Sequence, residues 1–114
     1  MSELSQALAV KAMDGLMLRQ TAIAENIANA GSESFAHRSV KFENALREAA
    51  ADGPEAVRSV VMQIDTTGPA LSGDDLRLDL EMQNSAATTM RYSALADILG
   101  RQMQITRAAV RGGQ

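Results

Sequence analysis

Proline decides where long helices can run in this chain. Both prolines, Pro54 and Pro69, fall between Gly31 and Asp75, together with four of the eight glycines. Proline inside a helix costs about 3 kcal/mol, because it removes a backbone donor and its ring clashes with the preceding turn. The flanking stretches, residues 2–30 and 76–110, contain no proline and one glycine each, Gly15 and Gly100. A chain of 114 residues fits one domain. It is expected to be mainly α: an N-terminal helix over 2–30, an irregular middle over 31–75 and a C-terminal helix over 76–110.

Both terminal segments carry helical periodicity. In the first, Ala9, Met13, Leu16, Gln20, Ile23, Ile27 and Ala30 advance by alternating steps of four and three, which makes a heptad seam. Glu3, Lys11, Asp14 and Glu25 lie opposite. Leu18 falls in the middle of that charged face, as an exposed apolar residue or as a contact with a second neighbour. In the last segment, Leu80, Ala87, Ala94, Leu95, Ile98, Ile105 and Ala109 form a stripe that also contains Asn84, Arg91 and Gln102. Arg91 either snorkels from the stripe or pairs with a carboxylate and fixes register, the second being preferred. The two helices, about 40 and 50 Å long, are expected to form a coiled-coil-like pair, with Met13, Leu16, Ile23 and Ile27 on Leu95, Ile98 and Ile105.

Such a pair buries one face of each helix. Burial of a large aliphatic side chain contributes roughly 1.5–3 kcal/mol, whereas ordering the backbone costs about 1–2 kcal/mol per residue. A lone two-helix hairpin is marginal on these terms, so neighbouring chains are expected to supply part of its stability. The middle offers a short helix over residues 40–51, with Phe42, Ala45, Leu46 and Ala49 on one side. It also offers a β-hairpin-like arm built on the β-branched run 57–64 and the turns at 66–69 and 72–75.

Composition removes several classes of function. Cysteine is absent, so disulfides and thiol chemistry are excluded. The net charge of −3 comes with mixed signs and no basic stripe, which argues against nucleic acid as a partner. No stretch reaches the roughly 20 apolar residues of a membrane span, and the N-terminus lacks the apolar run of a cleaved signal peptide. His37 is the single histidine, read as a solvated loop residue. The acids Asp74, Asp75, Asp79 and Glu81 lack calcium-loop spacing and read as acids at a helix N-terminus. No catalytic, metal or cofactor site is expected. The seven methionines suit adaptable packing at a core or an interface.

The run Arg19-Gln-Thr-Ala-Ile-Ala-Glu-Asn-Ile-Ala-Asn-Ala30 resembles the N-terminal signature of bacterial flagellar rod and hook proteins, whose core is Glu25 to Asn29 here. The runs Leu78-Asp-Leu-Glu-Met-Gln and Thr89-Met-Arg-Tyr-Ser-Ala-Leu95 resemble the last helix of the proximal rod family FlgB more than the related family FlgC. The family's Thr-Pro-Gly turn after the first helix is replaced by Ser-Glu-Ser before Phe35. The resemblance implies a non-catalytic rod subunit of the basal body, exported by the flagellar type III apparatus without a cleaved signal. Its terminal helices would pack into a hollow rod that crosses the periplasm, joins the membrane ring and export gate to the remaining rod, and passes torque. Implied partners are further copies, other rod subunits, the adaptor subunit FliE, and ring and export-gate proteins. Asn26, Asn29, Phe35 and Tyr92 then join Met13, Leu16, Leu18, Ile23, Ile27, Arg91, Leu95, Ile98 and Ile105 as candidate assembly residues. A small helical adaptor or export chaperone, stably folded and dimeric, is the rival from another class.

Overall fold

The computed structural model describes residues 1–32, 34–66 and 78–112. The elements are α1 (Glu3–Ala28), α2 (Glu43–Ala50), α3 (Pro54–Arg58) and α4 (Leu78–Gly112). Ser2 starts α1: its side-chain oxygen accepts the Ser5 N–H at 3.0 Å, one of the donors a helix start leaves unpaired. At the other end the Asn29 backbone N–H and side-chain amide both donate to the Glu25 carbonyl, at 3.0 and 2.8 Å. Gly53 adopts φ 101°, which favours glycine, and Pro54 follows at the first turn of α3, where its missing N–H costs no helix bond.

α1 touches each of the other three described helices, whereas among the helices α4 packs on α1 alone. α4 runs antiparallel to α1: Gln20 donates its amide N–H to the Ser85 hydroxyl at 2.6 Å, and Leu16, nearer the N-terminus, meets Thr88 and Tyr92 further along. With that register Glu3 lies opposite Gln102. Residues 103–112 therefore run past the start of α1 for about 15 Å, and the molecule measures 63 × 27 × 14 Å.

The described part of the middle segment holds two short helices, α2 and α3. α2 forms within the expected short helix and buries Phe42, just before it, and Leu46, although Ala45 faces out. No β-hairpin forms among the described residues. Val57 lies in α3 and is fully buried, and the run after it forms no strand but carries an antiparallel bridge from Asp65 to Ser39. The turn at 72–75, most of the turn at 66–69 and the expected helix start at residue 76 lie outside the described residues.

The core joins Ala7, Leu16 and Ala22 of α1 to Val40, Phe42, Leu46 and Val57 of the middle segment. The charged side of α1 is thus covered by its own chain. The Lys11 ammonium donates to the Val60 carbonyl at 2.9 Å. Arg19 donates to the Val40 carbonyl at 3.1 and 2.7 Å and to Glu43, while its guanidinium lies 4.7 Å above the Phe42 ring. Glu3 pairs with Arg58, and Glu25 with Arg38. Leu18 is half-buried against this core, so its neighbour is the middle segment. Gly15 is what lets the Phe42 ring approach: a Cβ there would stand 2.5 Å from Phe42 Cδ1.

Candidate assembly interface

The α1 seam is buried at Ala9, Leu16 and Ile23, half-buried at Met13, and open at Ile27, which is 37% exposed. Of the α4 stripe, Leu95 packs on the core as expected, but Leu80, Ile98 and Ile105 are turned away from it. The positions of α4 buried in the molecule are Glu81 and Thr88, and Tyr92 and Leu95 pack beside them. Glu81, Thr88 and Leu95 sit one residue on from Leu80, Ala87 and Ala94, a rotation of about 100° around the helix. Leu80, Ile98 and Ile105 consequently stay outside, at 45%, 47% and 62% exposed. The expected packing of Ile27 on Ile98 and Ile105 is therefore replaced. Antiparallel register puts Ile27 opposite the first turn of α4 and Ile105 beyond the start of α1. Met82, Met90, Met103 and Val110 are exposed as well. Of these exposed residues, Leu80, Ile98 and Ile105 share one face of α4, the arrangement that suits contact with another molecule.

The Glu25–Asn29 run has a structural job at each polar position. Asn26 is 1% exposed. Its amide N–H donates to the Arg38 carbonyl and its oxygen accepts the Arg38 backbone N–H, both at 2.8 Å. This two-point clamp folds the chain back along α1. Phe35 is half-buried, with the Arg38 guanidinium 5.1 Å above its ring, and Asn29 closes the end of α1 as described. Replacing Asn26 with Ala strands two backbone groups of Arg38. It should destabilise the fold by about 1–3 kcal/mol, read as a lower urea midpoint with an unchanged slope.

Between α1, the 37–43 segment and α4 lies a polar cleft of about 300 Å³, lined among others by Arg19, His37, Arg38, Glu43, Glu81 and Arg91. His37 is not a free loop residue. Its Nε2 lies 2.6 Å from Glu81 Oε1, so the imidazole N–H donates to a carboxylate that is otherwise buried. A buried carboxylate needs such a partner. Burial pushes the Glu43 carboxyl up, yet the Arg19 hydrogen bond and the backbone N–H groups of Glu43 and Phe42 outweigh it and hold the pKa below its ordinary value. That contribution is complete above the ordinary carboxylate range and is lost as pH falls through the lowered pKa. Arg91 is exposed and, among the described residues, makes none of the hydrogen bonds or ion pairs that the expected register-fixing role calls for.

Sequence reasoning missed Gln20–Ser85, His37–Glu81 and Thr88. His37 and Glu81 stand 44 residues apart with no motif linking them, and Thr88 carries no apolar signal. Among the described residues no group of acids and histidine is placed to hold a metal ion. No described helix is long and apolar enough to cross a membrane.

No family model matches the chain. It is similar to curated proteins named flagellar basal body rod protein FlgB from Cereibacter sphaeroides and from its strain ATH 2.4.9. Each is 28% identical to it, over 85% of this chain and 88% of the relative. The same protein from strain ATH 2.4.1 matches to the same extent.

Proposed function

We propose that this chain is a structural subunit of the bacterial flagellar proximal rod, of the FlgB type. The observation that carries the reading is the α4 stripe of Leu80, Ile98 and Ile105, exposed beside a core already closed around α1. A helix that turns its more apolar face outward is built to be covered by other chains. The relatives' name supports a rod as the assembly concerned.

On this reading the chain reaches the periplasm through the flagellar export apparatus and adds to the rod by its terminal helices. Ile27, Arg91, Ile98 and Ile105 face neighbouring subunits. Met13, Leu16, Leu18, Ile23, Asn26, Asn29, Phe35, Tyr92 and Leu95 act indirectly, by holding α1, α4 and the middle segment in the shape those neighbours meet. The neighbours are further copies, other rod subunits, FliE, and ring and export-gate proteins. Through them the subunit links ring to rod and passes torque. The rotation of about 100° between the inward face and the exposed stripe of α4 suits a subunit with several unlike neighbours, as heterologous contacts in helical arrays require.

Deleting the gene should abolish swimming in soft agar and remove the rod from basal-body preparations, and the full chain supplied in trans should restore both. Deletion cells that swim normally would contradict the reading.

A further inference from the structure

The inward face of α4 is held by polar contacts. The Glu81 side chain is 7% exposed, and among the described residues His37 is its one partner, 2.6 Å away. Gln20 donates to the Ser85 hydroxyl at 2.6 Å, yet its own Oε1 is buried with no donor to accept from. Thr88 is the other buried position of this helix. About 100° around the same helix, Leu80 and Ile98 stand exposed. Local hydropathy and the observed packing oppose each other here, and such a conflict leaves a second packing close in free energy.

We propose that α4 has two rotational settings on α1 and that His37 selects between them. In the observed setting Glu81 and Thr88 face inward and the stripe faces out. In the other, α4 rolls by about 100°: Glu81 turns to water, and Leu80 and Ile98 turn toward α1. The polar cleft supplies the room. On the α4 side it is lined by Asn84, Ala87 and Arg91 of the stripe as well as by Glu81 and Thr88, so the stripe borders open space on the side toward which it would turn. Bringing Asn84 and Arg91 toward α1 opposes the roll, and the observed setting wins while His37 is present. Without His37 the buried carboxylate has no partner, and only the roll returns it to water. The selection is a property of the single chain and does not depend on the rod reading. On that reading its consequence is that the rolled setting hides the surface neighbours cover, so His37 keeps the subunit able to assemble.

The chain has no cysteine, so one thiol at a time can report each face. Thr88→Cys marks the inward face and Ile98→Cys the stripe. In the dilute full-length chain, N-ethylmaleimide should modify Ile98→Cys roughly tenfold faster than Thr88→Cys, because a buried thiol reacts only after local opening. Adding His37→Ala should invert that order while helical circular dichroism is kept. Adding His37→Gln, which retains an N–H donor, should leave the parent's order. Adding Glu81→Leu to the His37→Ala chain should restore it, since no carboxylate then needs a partner inside. If Thr88→Cys stays the slower thiol in the His37→Ala chain, the second setting is not reached and the proposal fails. It fails equally if both thiols react alike because α4 has come away from α1. Neither result touches the rod reading, which the gene deletion tests separately.

Discussion

Replacing Ile98 with Asp should leave the subunit folded and the cell unable to swim. Ile98 lies on the outer stripe of α4, about half exposed, with the helix's own contacts to α1 carried by Thr88, Tyr92 and Leu95 on a different face. A surface substitution of that kind changes stability by about 0.5 kcal/mol at most. Helicity and thermal midpoint of the purified variant should therefore match the parent. In an assembled rod the same position would be covered, and an unpaired carboxylate in a desolvated interface costs several kcal/mol, enough to exclude the subunit. The expected pattern is normal circular dichroism, normal cellular protein and no swarm expansion. A folded variant that supports full motility would show that the stripe faces solvent in the rod.

Gly15→Val should have the reverse signature. The Phe42 ring occupies the space a side chain would need, 2.5 Å from the Cβ position, and Phe42 in turn sits under the Arg19 guanidinium and against Leu46 and Val57. Valine must expel the ring. Loss of a buried phenylalanine costs about 3–5 kcal/mol, a large part of the stability of a domain this small. The purified protein should melt far below the parent and expose the middle segment to proteolysis, and motility should fail because little folded subunit is present. The milder Gly15→Ala still clashes and should fall between the two. A Gly15→Val protein with the parent's midpoint would mean that Phe42 does not pack on α1.

The two variants divide the molecule as the physics does, and that division was only partly legible in the sequence. The terminal helices were, since proline is confined to the middle and apolar residues recur at helical spacing. The α1 seam was legible at Ala9, Leu16 and Ile23. The face of α4 was not. Hydropathy chooses Leu80, Ala94, Leu95, Ile98 and Ile105, but of these Leu95 alone packs on the core while the chain buries Glu81 and Thr88, and Glu81 is acceptable there only because His37 arrives from far away in sequence to pair with it. The order in the middle was hidden for a related reason. The charges on α1 that look like a solvated face are spent on the carbonyls of Val40 and Val60 and on Glu43, Arg38 and Arg58. The five-residue α3 is too short to show a period. Asn26 was picked out through its motif, while its clamp on Arg38 needed the folded chain. On the proposed function, the exposed part of the apolar stripe that sequence reasoning assigned to the helix pair is surface held back for other chains.

That understanding is open to direct inspection in a cryo-EM map of intact basal bodies from cells that make this chain. The account expects α4 to lie in the rod wall with Leu80, Ile98 and Ile105 covered by adjacent protomers, while Glu81 and Thr88 stay turned toward α1 of the same protomer. A map in which that stripe borders solvent, or in which α4 has rolled to bury it against its own α1, would contradict the account.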